Sequence, residues 1–176
     1  MMRLCCALIT GLHVVLFAGL AGATESLGIP QLARDAMAYR VGNWESVGFV
    51  DGVEQTDVGH EATKWGPGKY CITITNTFVF NGVDIHATGI VGWDPQRKQL
   101  VEHWYSSDGT YATFCYSLDK KKNAWVGTFK RAFADGTIHE GESIVETKGK
   151  DEWEWHSSYA VDGKAHTIRT KNRRVK

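Results

Sequence analysis

The sequence has no surplus of charge of either sign, since 20 lysine and arginine residues balance 20 aspartate and glutamate residues. A protein whose main partner is a nucleic acid usually carries a positive net charge or a basic face. The basic residues Arg173, Arg174 and Lys176 at the C-terminal end are typical of a solvated terminus. We therefore expect no nucleic-acid partner.

Motifs of established catalytic or cofactor chemistry are also missing. The chain contains no G-x-S-x-G, no phosphate-binding loop and no dinucleotide fingerprint. The nearest set of metal-ligand types is Glu152, Glu154 and His156, which share one strand face at a period of two. Because they alternate with Trp153 and Trp155, we interpret them as a solvated face. We expect no catalytic residues, no metal site and no cofactor.

Cysteine is scarce beyond the N-terminal segment, where only Cys71 and Cys115 remain. A disulfide needs Cα atoms within about 7 Å of each other. In a meander of consecutive strands these two cysteines fall on strands that are not neighbours. We predict that both are free thiols.

The one long apolar run extends from Leu4 to Leu20, after Arg3 and before the small residues Ala21, Gly22 and Ala23. This pattern predicts a signal peptide over residues 1–23, because a membrane-spanning helix needs about 20 apolar residues and lacks such a cleavage pattern. Residues 24–176 then form a single domain that is secreted or periplasmic. We expect no stable membrane span after cleavage.

From Val41 onward the chain is rich in β-branched and aromatic residues, interrupted by turn signals such as Asn81-Gly82 and Asp135-Gly136. The pattern predicts about ten strands between Val41 and Lys171, with no helix-length segment among them to make parallel crossovers. Closure removes the unpaired edges of such a sheet. We predict an all-β, antiparallel up-and-down barrel in preference to a sandwich. Before it, spaced apolar residues (Leu32, Ala36 and Tyr39) predict a short helix that plugs one end.

Alternation along the strands predicts which side chains face the interior. In the third strand the predicted inward set is Tyr70, Ile72, Ile74, Phe78 and Phe80. Small residues interleaved with the rings leave room for either a packed core or a cavity, and we favour a cavity that binds a small apolar or amphipathic molecule. The predicted lining residues are Trp44, Ile74, Phe78, Phe114, Trp125, Phe129, Trp155 and Arg169.

Several short motifs resemble those of the secreted bacterial lipocalin-like (calycin-type) barrel proteins of unknown function. They are Gly42-x-Trp44, Gly92-Trp93-Asp94 and Trp125-x-Gly127, together with the N-terminal helix and the regular hairpins. The resemblance implies a calycin-type barrel and no agreed activity, substrate or cofactor. In the lipocalin pattern a basic residue of the last strand lies over the first-strand tryptophan, and the resemblance implies that Arg169 lies over Trp44.

Gly-x-Trp also opens the nitrobindin-like haem barrels, which use a late histidine as iron ligand. That resemblance implies His156 or His166 as the ligand, although Glu45 to Phe49 replace the Gly-rich continuation of those proteins. Three functions therefore stay open. They are a small-molecule-binding barrel, which the sequence favours, a secreted enzyme of unassigned chemistry, and a haem binder.

Overall fold

The computed structural model describes residues 28–80 and 82–175, so the predicted signal peptide lies outside the described residues. One helix, α1 (Gln31–Arg40), precedes ten strands, and a 3-10 turn at Pro67–Lys69 separates the second strand from the third. The strands β1 to β10, in chain order, are Gly42–Val50, Val53–Trp65, Cys71–Phe80, Val83–Asp94, Gln99–Ser106, Tyr111–Asp119, Ala124–Ala132, Ile138–Thr147, Glu152–Val161 and Lys164–Arg174.

The ten strands close into one barrel. Each strand pairs with its neighbours in chain order, and β1 pairs with β10 to complete the ring. All pairings are antiparallel. The predicted all-β, up-and-down barrel with a helix before its first strand is confirmed.

The two ends of the barrel differ, and α1 defines one of them. The helix leads through Val41 directly into β1, so we call this end the helix end. The turns that join β1 to β2, β3 to β4, β5 to β6, β7 to β8 and β9 to β10 lie at the other end, which we call the mouth end.

Helix α1 closes the helix end with a different face from the one predicted. Ala33 and Met37 are buried among the core residues of the strands, whereas Leu32 is 48% exposed. The inward stripe therefore consists of Ala33, Met37 and Arg40, at spacings of four and three. The buried stripe is thus displaced by one residue from the predicted one, in which Leu32 is exposed, whereas Ala36 and Tyr39 are half-buried and Ala36 packs against the core.

The third strand begins at Cys71, and two of the residues predicted to face inward from it are not inside. Tyr70 belongs to the turn before β3 and is 62% exposed, and Phe80 at the end of β3 is 45% exposed. Ile72 and Ile74 are fully buried, as predicted. The alternation therefore holds within the strand and fails at its two ends, where the chain enters turns.

Cys71 on β3 and Cys115 on β6 are unbonded in the structure, and β4 and β5 lie between their strands. The prediction of free thiols is confirmed.

Thiol titration of a protein that lacks residues 1–23 should find both cysteines in denaturant. An oxidised mass with no titratable thiol on the denatured monomer would contradict this strand order.

Candidate ligand-binding site in the barrel interior

One wall of the interior, formed by β5 to β9, is lined with aromatic rings. Phe114 lies at its centre, with its ring centroid 5.6 Å from Phe129, 6.0 Å from Tyr116 and 5.8 Å from Trp155. Stacked and edge-to-face pairs at these distances are favourable beyond the area that they bury. This aromatic wall comprises Trp104, Phe114, Tyr116, Trp125, Phe129 and Trp155.

Seven of the eight predicted lining residues face the interior. Trp44, Ile74, Phe114 and Phe129 are buried in it. The other three are inward and half-buried, and they are Phe78, Trp125 and Trp155. The structure thus places these side chains as predicted, and their contact with a ligand stays a prediction.

Arg169 is the exception, since it lies on the outer wall of the barrel. It stands opposite Phe49 of β1, and its Nη2 donates to Glu154 Oε1 at 2.6 Å. The predicted placement of Arg169 over Trp44 is therefore wrong. The cause is the length of β10, which continues to Arg174 and brings that residue opposite Trp44.

Arg174 does what was expected of Arg169. Its Cζ lies 4.1 Å from the centroid of the Trp44 ring. Its Nη1 donates to the carbonyl of Val41 and its Nη2 to that of Tyr39, both at 2.7 Å. The Trp44 indole donates to the carbonyl of Arg40 at 2.7 Å. A basic residue of the last strand thus covers the first-strand tryptophan and joins the end of α1 to the barrel.

Small and polar side chains also face the interior from β8 through β10 and from β1 to β3, among buried apolar residues such as Trp44 and Ile74. Of these polar residues, Ser46 and Thr170 are only half-buried, although they face inward. So are Trp104 and Trp155 on the aromatic wall. Side chains in a filled core are fully buried. The partial exposure of these four residues therefore indicates that the interior beside them is not completely filled. The polar wall comprises Ser46, Glu61, Asn76, Ser143, Ser157 and Thr170.

Two polar atoms on this wall have no hydrogen-bond partner among the residues that the structure describes. They are Ser157 Oγ and Asn76 Oδ1, both buried. By contrast, Ser143 bonds to the hydroxyl of Tyr116 at 2.9 Å, and Trp155 Nε1 donates to the same hydroxyl at 3.1 Å. Buried polar groups nearly always have a hydrogen-bond partner. These two atoms without one therefore favour contact with water or with a polar ligand.

Near the helix end, three charged side chains meet inside the barrel. Arg40 Nη1 reaches both carboxylate oxygens of Glu102, at 3.1 and 3.2 Å, and Arg40 Nη2 lies 3.7 Å from Glu61. Glu102 also accepts from Trp104 Nε1 at 2.7 Å, and Glu61 accepts from Thr63 at 2.9 Å. Both glutamates are 5% exposed. The guanidinium of Arg40 thus lies at salt-bridge distance from two buried carboxyl groups.

The surroundings raise the pKa values of Arg40, Glu61 and the neighbouring Tyr116, for different reasons. Burial opposes the charge of Arg40, but Glu102 and Glu61 outweigh it and hold the pKa of the guanidinium above its usual value. Burial raises the pKa of Glu61, against the attraction of Arg40. Burial and the charge of Glu102 raise the pKa of Tyr116. We infer from the two short contacts that Arg40 and Glu102 form the closer ion pair, while burial favours the neutral form of Glu61.

At the mouth end, rings from three adjacent strands stack in a row. His139 lies 4.8 Å from Tyr159, and Tyr159 lies 5.5 Å from His166, between ring centroids. His166 Nδ1 is 2.9 Å from Asp51 Oδ2 in the first turn. The pKa of Asp51 is lowered mainly by the hydrogen bond from the backbone N–H of Thr167. The hydrogen bond with His166 lowers it further. This row forms one side of the mouth.

Arg131 stands beside this row. It is opposite His139 across β7 and β8, on the same inward face as Phe129, and is half-buried. Its Cζ lies 5.9 Å from the Phe129 ring. Within residues 28–80 and 82–175 no carboxylate lies at salt-bridge distance from it. Burial lowers the pKa of Arg131, yet arginine remains charged at neutral pH.

The outer wall of β8 to β10 holds two of the three residues that the sequence singled out as metal-ligand types, Glu154 and His156, with Glu146 in the place of Glu152. Ligand atoms of Glu146, Glu154 and His156 lie within 4.8 Å of one another. Lys148 binds Glu146 at 3.0 Å and Arg169 binds Glu154, so cations of the protein already occupy these carboxylates. This agrees with the predicted solvated face. It also places His156 outside the barrel, whereas His166 lies at the mouth.

Two grooves also lie on the outer wall and share Phe49. One has a volume of about 480 Å³ and is lined by Ile144, His156 and Arg169 among others. The second has about 420 Å³ and includes Val47, Lys171 and Arg173. The sequence pattern did not indicate either groove.

These features define the class of the molecule as a closed ten-strand antiparallel barrel, capped by a helix and lined by one aromatic and one polar wall. Within the described ranges, no helix is long and apolar enough to cross a membrane. No family model matches the sequence, and no curated protein does. The lipocalin-like assignment therefore stays a prediction.

Solved structures with a similar fold exist. Rv2717c from M. tuberculosis, known from a crystal structure, matches with a TM-score of 0.57 and 13% identity over 82% of this chain and 98% of that chain. EF1p2_mFAP2b, solved bound to DFHBI, matches with a TM-score of 0.47 and 14% identity over 81% of this chain and 98% of that one. At such identities the likeness to Rv2717c concerns the fold alone.

Proposed function

We propose that the barrel binds a small amphipathic anion in its interior. The apolar body of the ligand lies against the aromatic wall, and its anionic group meets Arg131 at the mouth. The observation that carries the proposal is the inward guanidinium of Arg131, which has no carboxylate partner in the described part of the chain. A half-buried cation without a counter-ion is costly, and an anionic ligand removes that cost.

The surroundings of Arg131 suit such a ligand. His139 and Tyr159 add polar groups next to the guanidinium, and Phe129 continues from it into the aromatic wall. Ligand sites commonly combine an apolar lining with a few placed polar groups of this kind. The unpaired Ser157 and Asn76 atoms supply further hydrogen-bonding positions at greater depth.

The proposal includes the location of the protein. The apolar run from Leu4 to Leu20 and the small residues after it support export from the cytoplasm, with residues 24–176 as the exported domain. A ligand-binding barrel in that compartment would bind molecules outside the cytoplasmic membrane.

Replacement of Arg131 by glutamine tests the proposal. Binding of dodecanoate is followed through tryptophan emission, because Trp104, Trp125 and Trp155 line the interior. A hydrogen bond to a charged group is worth about 1.5–3 kcal/mol, so Arg131→Gln should weaken binding by about 10- to 100-fold.

Arg173→Gln is the matched control, because Arg173 is exposed on the outer wall and the substitution removes the same charge. It should bind dodecanoate like the unmodified protein. Equal affinity of all three proteins, or no binding by any of them, would refute the proposal. Melting curves establish that each variant is folded.

A further inference from the structure

The near-neutral net charge conceals a separation of charge between the two ends of the barrel. The four strand connections at the helix end, 66–70, 95–98, 120–123 and 148–151, contain eight basic residues and one acidic residue, Asp151. The connections at the mouth end contain four aspartates and no lysine or arginine. We call the eight helix-end residues the basic ring; they are Lys69, Arg97, Lys98, Lys120, Lys121, Lys122, Lys148 and Lys150.

The basic ring is available to a partner. All eight residues are exposed. Arg97 is paired with Asp94 at 2.9 Å and Lys148 with Glu146 at 3.0 Å. In the described residues the other six have no carboxylate at salt-bridge distance. The nearby Asp119 accepts from the backbone N–H groups of Lys121 and Lys122, and Asp151 is paired with Arg174 at 3.2 Å.

Exposed apolar side chains lie at both ends of the barrel, and at the helix end they accompany the basic ring. Tyr70, next to Lys69, is 62% exposed, Leu32 on α1 is 48% exposed and Val175 is 43% exposed. Tyrosine is enriched where proteins meet the headgroup level of a bilayer, and lysines near an anionic leaflet are attracted to it. Apolar and basic groups together are the composition of a peripheral membrane contact.

We propose that the helix end docks on an anionic lipid surface. Four loop tips at one end of a barrel can touch a plane at the same time, whereas a linear polymer would reach only some of them. Seven of the eight basic residues are lysines, which act as point charges and lack the planar fork with which arginine recognises phosphates and bases. Docking by this end points the mouth, and Arg131, away from the surface. The proposal does not depend on the ligand site.

The test is co-sedimentation with phosphatidylcholine vesicles that do or do not contain phosphatidylglycerol. The protein should bind the anionic vesicles, and added salt should weaken the binding. The triple variant Lys120→Gln, Lys121→Gln, Lys122→Gln should bind them at least about tenfold more weakly, since each lysine near an anionic surface is worth about 1 kcal/mol.

A second triple variant, Lys130→Gln, Lys164→Gln, Arg169→Gln, removes the same number of charges from strand positions outside the connections of the helix end. It should bind like the unmodified protein, and both variants should melt as cooperatively as that protein. Absence of binding to anionic vesicles, or equal losses in the two variants, would overturn the proposal. Tighter binding to a DNA duplex than to the vesicles at the same salt concentration would also overturn it, in favour of a nucleic-acid surface.

Discussion

Replacement of Arg40 by methionine should destabilise the protein by about 3–5 kcal/mol at neutral pH, the usual cost of removing one partner from a buried ion pair. The substitution leaves Glu102 and Glu61 inside the barrel without a cation, and it also removes the guanidinium that lies 4.8 Å from the Trp153 ring. Methionine keeps the apolar stem of arginine, so the loss reports mainly the guanidinium group and its charge. Chemical unfolding measures it.

The isosteric variants of the two glutamates separate their roles. Glu102→Gln should be the more destabilising, because Glu102 holds Arg40 through both oxygens and also binds Trp104. Glu61→Gln should cost little at neutral pH, since Glu61 is 3.7 Å from Arg40 and burial already favours its neutral form. Equal losses in the two variants would contradict this division of roles.

The pH dependence of the cluster has a definite sign. Burial raises the pKa of Glu61 in the folded protein above its unfolded value, so the folded state holds the proton more tightly. The corresponding stability is fully present below the unfolded pKa, about 4.3, and is lost as the pH rises through the folded pKa. Glu61→Gln should lose this dependence. We therefore expect the free energy of unfolding of the unmodified protein to fall relative to that of the variant as the pH rises from about 4 through the folded pKa of Glu61. Chemical unfolding of both proteins at several pH values measures this difference.

Replacement of Trp44 by alanine should cost about 3–5 kcal/mol, because the indole is 1% exposed and fills the junction between α1, β1 and β10. Arg174→Lys should cost less, about 1–2 kcal/mol, because lysine keeps the charge and loses the plane that lies on the indole. The two losses should be strongly non-additive in a double-mutant cycle, since the side chains touch.

Arg169→Lys is the matched control for that cycle. Arg169 lies outside the barrel and is bound to Glu154, so its replacement should be additive with Trp44→Ala. Additive behaviour of Arg174→Lys with Trp44→Ala would mean that the stacked contact contributes nothing. Coupling of Arg169 with Trp44 would contradict the register of β1 and β10.

The barrel could be predicted from the sequence because two simple signals agree along most of the chain. Turn residues recur at hairpin spacing, and alternation places Ile72, Ile74, Phe114 and Phe129 inside. Prediction failed where a strand continues through polar sequence. β10 runs to Arg174 across Asn172 and Arg173, and nothing apolar in that stretch marks it as a strand.

The charged residues of the interior were missed for a different reason. The inward face that contains Phe129 continues to Arg131, and the face that contains Leu100 and Trp104 includes Glu102. The period of two places both residues on inward faces, but the sequence prediction considered only apolar residues there. What the sequence cannot show is the partner, since Arg40 reaches Glu102 from the helix and Arg131 meets no carboxylate in the described chain. Such pairings arise from closure of the barrel and are not local in sequence.

The most direct test of the interior site is a crystal structure of the protein with dodecanoate. We expect the carboxylate within hydrogen-bond distance of the Arg131 guanidinium and the alkyl chain along the aromatic wall toward Phe114. Dodecanoate bound in the outer grooves beside Phe49, with the interior filled by side chains alone, would contradict this expectation.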